Sequence, residues 1–272
     1  MKITRADTAR HEEAMALLFA MDHKMPDEEI EYVYEHYDPM AEHNVGKNAI
    51  FFTPLGLAWD FAAMTAPKGR VIDLCAGTGI LSYACLRHDS CGGSPDITEL
   101  VAVEIDHEFV EIGKRLLPEV VWIEGSVFDQ ELMANLGVFD NAISNPPYGS
   151  ISADADADWL SYKGPAHFKV AEVALRLAYG GAGLIIPEVD TNYDMRRSQP
   201  QCSGSLARFN KTFPGIDLSP VCMADAFKDD WKGASPHVII ADLSTDDYRG
   251  VKPLGFTLAP KRKVTIEQPV EV

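Results

Sequence analysis

The chain has 272 residues, with 24 basic against 41 acidic side chains and a formal net charge of −17. That length suits one well-cored α/β domain with appendages, and the charge repels a phosphate backbone on average, so any nucleic-acid face must be a local basic lip. Five cysteines, Cys75, Cys85, Cys91, Cys202 and Cys222, form no Cys-x-x-Cys pair, which argues against a disulfide framework or a zinc site; no metal is expected.

Residues 1–47 read as a helical N-terminal extension. Apolar positions recur at helical spacing from Glu12 to Met21, and Pro26-Asp27-Glu28-Glu29 starts a second helix running from Ile30 to Tyr37. A helix from Leu57 to Met64 follows Phe52-Thr53-Pro54. From Val71 the pattern alternates strand and helix, as in a mostly parallel α/β sheet flanked by helices. Strands are expected near 71–74, 100–105, 120–124, 140–144, 182–187, 218–223 and 237–243, and helices near 79–87, 107–117, 129–136 and 165–179. The main domain is taken as 48–245, and the stretch 246–272, with Lys261-Arg262-Lys263, as a C-terminal tail. The N-terminus lacks an apolar signal core and the apolar runs are too short to span a bilayer, so a cytoplasmic chain with no membrane partner is expected.

Two motifs about seventy residues apart carry the chemistry. Val71 to Leu74 is a short apolar strand with Asp73 in it, and Cys75-Ala76-Gly77-Thr78-Gly79 then gives a tight turn that opens a helix. No Gly-Lys-Ser/Thr follows, which argues against a phosphate-gripping loop. Glu104 closes the next strand where a ribose-binding carboxylate belongs, the spacing being lengthened by the insert Cys91-Gly92-Gly93-Ser94-Pro95. Asn145-Pro146-Pro147-Tyr148 closes the fourth strand. Its prolines fix φ and remove competing donors, so the Asn145 side-chain oxygen and the Pro146 carbonyl can both accept from one planar amine. Tyr148 offers an aromatic face for stacking, with its hydroxyl free to meet water. In isolation this turn is no more than an ordinary proline turn; beside Asp73-to-Gly79 and Glu104 it reads as catalytic.

Together Asp73-Leu74-Cys75-Ala76-Gly77-Thr78-Gly79, Glu104 and Asn145-Pro146-Pro147-Tyr148 resemble the class I S-adenosylmethionine-dependent methyltransferases, specifically the DNA adenine-N6 enzymes, over roughly residues 48–243. The resemblance implies a Rossmann-like seven-stranded fold whose last strand is an antiparallel insertion, and S-adenosyl-L-methionine as cofactor. It implies contacts from Thr53, Asp73, Cys75, Gly77, Gly79, Glu104, Ser126 and Phe128. Ser126 stands where the family commonly has an acidic residue, which leaves Ser126 or Asp129 for the cofactor's amino group. A flipped base would need a second stacking surface, for which Phe227 is preferred over Trp231.

The substrate implied is adenine in nucleic acid, most simply DNA, with a protein partner possible for target recognition. Only residues of about 190–217 could supply recognition in this chain. The basic lip would come from Lys163, Lys169, Arg196, Arg197, Arg208 and Lys211. The alternatives are methylation of a protein glutamine amide, which suits the acidic surface, and a non-catalytic subunit that keeps the fold. Asp154 to Asp158 reads as a solvated lid and not a calcium loop, and His107 and His167 read as incidental.

Overall fold

Strand β1 (Gly69–Leu74) is the centre from which the architecture is built. Val71, Ile72, Asp73 and Leu74 are all buried, as expected of a parallel strand covered on both faces. The computed structural model describes residues 5–20, 25–38, 52–88, 96–149, 157–231 and 237–245. Three helices come first, α1 (Arg5–Phe19), α2 (Asp27–His36) and α3 (Leu55–Thr65). After β1 follow α4 (Ile80–Arg87), β2 (Ile97–Glu104), α5 (His107–Leu116), β3 (Val121–Glu124), α6 (Gln130–Asn135) and β4 (Asn141–Ser144). Then come α7 (Ala166–Leu177), β5 (Ala182–Pro187), β6 (Tyr193–Asp194), β7 (Gln199–Pro200), α8 (Gly204–Thr212), β8 (Ile216–Met223) and β9 (Val238–Thr245).

Seven strands form one sheet in the order β3-β2-β1-β4-β5-β9-β8. The pairs from β3 through β5 are parallel, and β9 slots antiparallel between β5 and β8. The sheet order reverses between β1 and β4, so a crevice opens at the carboxyl ends of those two strands. Local chemistry sets the helix starts there: Asp106 accepts from the Glu108 N–H to cap α5, and Asp129 accepts from Leu132 to cap α6.

The expected strands are all present, to within three residues at their ends. Two features went unforeseen. α8 is capped by Ser203 and buries Leu206 and Phe209, and β6 pairs with β7, two residues each, in a short antiparallel hairpin. α1 and α2 share the core of the sheet domain: Ala14, Leu18, Ile30 and Val33 cluster with Leu57, Phe61 and Tyr83. The expected tail 246–272, the 91–95 insert and most of the aspartate run lie outside the described residues.

Candidate cofactor and substrate site

The chain reverses sharply after β1, with positive φ at Cys75 (62°), Gly77 (57°) and Gly79 (90°). At Gly77 a side chain would meet nothing within 4 Å, so the backbone there borders open space. Gly79 has a different task, because a Cβ would strike the Trp122 ring at 2.9 Å. It serves the turn and the packing, and it does not line the cavity described below.

Glu104 ends β2 opposite this turn. Its Oε2 accepts from the Gly77 N–H at 2.8 Å, and its Oε1 accepts from Ile105 at 2.8 Å and Asp106 at 2.9 Å. Burial pushes its carboxyl up, only partly offset by those three donors. Asp73 is 1% exposed and accepts from the Ser82 hydroxyl at 2.7 Å through Oδ2. Its Oδ1 is buried with no hydrogen-bond partner among the described residues. Burial pushes the Asp73 carboxyl up to about 7 against the Ser82 bond, and the nearby Glu104 adds to the rise. Cys75 is likewise a neutral wall, its thiol pushed well up by burial.

Thr53 and Asn145, 92 positions apart, meet directly: Asn145 Nδ2 donates to Thr53 Oγ1 at 2.8 Å. Asn145 Oδ1 accepts from the Tyr148 hydroxyl at 2.5 Å. The hydroxyl expected to meet water therefore turns inward, because the tyrosine ring packs against the core and edge to face with His167, ring centres 6.3 Å apart. Thr53, Asp73, Cys75, Gly77, Glu104, Ser126, Phe128, Asn145, Pro146 and Pro147 line one cavity of about 270 Å³. Sequence reasoning missed Ile105 and Phe109 in its wall; an apolar residue beside Glu104, and another on the inner face of amphipathic α5, were the available signals.

The remaining expected residues lie apart from this cavity or beside other partners. Asp129 caps α6 and does not line the cavity, which leaves Ser126, whose hydroxyl accepts from the Phe128 N–H at 3.1 Å. Phe227 also lies outside the cavity wall, its ring against Gly56, where an added Cβ would sit 2.6 Å from it. Trp231 is buried in the core. Among the expected lip cations, Lys169 is buried. Arg196 bridges Glu188 and Asp225, Arg197 lies 3.7 Å from Asp194, and Lys163 lies 3.9 Å from Asp158. No group of side chains suited to a metal occurs among the described residues, and no described helix is long and apolar enough to cross a membrane.

The donor set fits an adenosyl-methionine group. The open space over Gly77 admits close backbone approach, the orphaned Asp73 Oδ1 suits a cationic amine or a water bound to one, and Glu104 Oε2, which takes only the Gly77 N–H, has a lone pair left for a hydroxyl. The methyltransferase small domain family matches residues 60–160. The release factor glutamine methyltransferase of Corynebacterium glutamicum is 34% identical over 96 residues, covering 34% of this chain and 32% of the relative. Ribosomal RNA small subunit methyltransferase C of Shigella flexneri is 37% identical over 82 residues, 30% of this chain and 22% of the relative. The chain thus spans between a fifth and a third of the length of these curated relatives. In three dimensions it resembles a type I restriction enzyme modification subunit from Vibrio vulnificus, with a TM-score of 0.55 at 14% identity, over 82% of this chain and 51% of that one. The chain carries the class I methyltransferase fold, the fold of enzymes that use S-adenosylmethionine as cofactor.

Proposed function

We propose that the chain is an N-methyltransferase acting on the exocyclic amine of adenine in nucleic acid, with DNA the favoured polymer. Thr53 and Asn145 at the cavity wall, hydrogen-bonded to each other, with Tyr148 outside that wall donating to Asn145, carry this reading. S-adenosylmethionine, when bound, supplies an electrophilic methyl group. Asp73, Gly77, Glu104, Ser126 and Phe128 would hold it, with Glu104 Oε2 on a ribose hydroxyl and Phe128 against the adenine.

An exocyclic amine is a poor nucleophile because its lone pair is delocalised into the ring. Thr53 takes one amide hydrogen of Asn145 and Tyr148 takes one lone pair of Oδ1. The amide is thereby fixed in orientation, and its Oδ1 would accept from a target N–H. The Pro146 carbonyl accepts the other N–H, and the two acceptors draw the nitrogen toward tetrahedral geometry. Positioning, more than acid or base catalysis, carries the rate, and the methylated nitrogen sheds its extra proton to water afterwards. The modification subunit from Vibrio vulnificus, with which the chain shares its fold, and the ribosomal RNA methyltransferase, to which part of it is similar, are consistent with a nucleic-acid substrate.

One observation favours a second substrate, a protein glutamine amide. The net charge is −17, and Arg196, Arg197 and Lys163 each lie beside carboxylates. The matched glutamine methyltransferase agrees with that reading. Labelled methyl transfer to DNA, RNA and a protein extract in parallel, with mass identification of the modified residue, decides between them. N6-methyladenine in DNA is the expected product; label confined to protein glutamine would install the second reading.

A further inference from the structure

Behind the catalytic turn lies a buried polar pair that the proposed chemistry does not use. His167 stands in the first turn of α7 and is 2% exposed. Its Nε2 lies 3.0 Å from Asp190 Oδ2, in the short turn after β5. The Ser203 hydroxyl donates to Asp190 Oδ1 at 2.5 Å, and the same oxygen caps α8 by accepting from the Leu206 N–H. On the other side, the His167 ring packs edge to face on Tyr148, and the Ala166 N–H at the start of α7 donates to the Gly149 carbonyl at 2.7 Å.

Stability alone gives a poor account of this pair. The imidazole sits among Phe168, Tyr148 and their neighbours, where an apolar ring would pack without desolvation cost. His167 Nδ1 is buried with no hydrogen-bond partner among the described residues, a further cost that a phenylalanine would not carry. What the pair does provide is a fixed ring position. Asp190 is held from both sides, so the imidazole cannot rotate, and the face it presents to Tyr148 is fixed with it.

We propose that His167, oriented by Asp190 and Ser203, is a positioning residue that fixes the Tyr148 ring and thereby the Tyr148–Asn145 hydrogen bond. The role rests on the amine-presenting reading of Asn145. It also ties the segment of about 190–217, the one the sequence offers for substrate recognition, to the motif that presents the reacting amine. Asp190 joins the turn after β5, the start of α7 and the cap of α8, so movement of any one is felt at His167.

The test compares His167→Phe and His167→Gln with the wild-type full chain. His167→Phe keeps a ring and removes the bond to Asp190; His167→Gln keeps a donor for Asp190 and loses the ring. Melting temperature, S-adenosylhomocysteine affinity and hydrogen exchange of the peptide spanning residues 144–149 are measured for each, together with kcat and KM on whichever polymer the wild type methylates. The expected result for His167→Phe is a kcat at least tenfold lower, cofactor affinity within twofold of wild type, and faster exchange across 144–149. A purely structural role would lower the melting temperature and leave kcat intact. His167→Gln, if His167→Phe fails to fold, must show the same kcat loss. Wild-type kcat and exchange in a folded variant overturn the proposal. If the wild type methylates none of the three polymers, the function reading fails by itself, and the exchange measurement still decides the positioning role: unchanged exchange at 144–149 refutes it.

Discussion

Asp73→Asn should make the ligand-free protein more stable near neutral pH, and the structure sets the size of the effect. The carboxyl is 1% exposed with Oδ1 unpartnered, and burial raises it from 3.8 to about 7. The native state therefore keeps its proton up to about pH 7, while the unfolded chain releases it near pH 4. Between those values the native state binds more protons, so stability falls as pH rises, and the full penalty is present above about 7. Each pH unit of that interval is worth about 1.4 kcal/mol, which caps the penalty on the order of 4 kcal/mol. Asparagine keeps a bond with Ser82 and carries no charge, so the variant should gain on wild type between pH 5 and 8 by about 1 to 4 kcal/mol. Urea unfolding of both proteins across that range measures it. S-adenosylhomocysteine, whose amine can answer Oδ1, should narrow the gap. A difference between the two proteins that does not change with pH, or that shrinks as pH rises, would refute the reasoning.

Glu104→Ala removes the acceptor of three backbone N–H groups as well as the proposed ribose contact, and should weaken S-adenosylhomocysteine binding by about 1 to 3 kcal/mol in calorimetry. Unchanged affinity would place the ribose elsewhere. Tyr148→Phe keeps the ring and deletes the bond to Asn145 Oδ1; methyl transfer should slow by roughly tenfold, the worth of about 1.4 kcal/mol, with cofactor affinity unchanged. A wild-type rate in that variant would show the hydroxyl to be idle. Arg196→Gln with Arg197→Gln should weaken DNA binding and flatten its salt dependence by less than about two logarithmic units, since both arginines already face carboxylates. Anisotropy titrations showing an unaltered slope would remove both from the DNA face.

The sheet was legible because its strands are buried on both faces, which writes Val71-Ile72 and Ile185-Ile186 as continuous apolar runs bounded by glycine and proline. The turn after β1 was legible because positive φ selects glycine at 77 and 79. What escaped notice depends on contacts between distant positions. Nothing near Thr53 in the sequence announces Asn145 as its partner, and nothing in Asn-Pro-Pro-Tyr says that the tyrosine hydroxyl turns back on the asparagine. The charges of Arg196 and Arg197 were visible, but the carboxylates that face them come from Glu188, Asp194 and Asp225, brought together by the fold. His167 looked incidental for the same reason: its partner Asp190 lies 23 residues away, beyond α7 and β5.

Asn145→Ala separates cofactor binding from chemistry in a single protein. Cofactor affinity by calorimetry and labelled methyl transfer to DNA are measured on the same preparation. The account predicts affinity within about threefold of wild type and a transfer rate lower by at least about a hundredfold, the loss of one positioned acceptor together with its support from Thr53 and Tyr148. Near-normal transfer by a folded Asn145→Ala protein would reduce Asn145-Pro146-Pro147-Tyr148 to a structural turn and contradict the account.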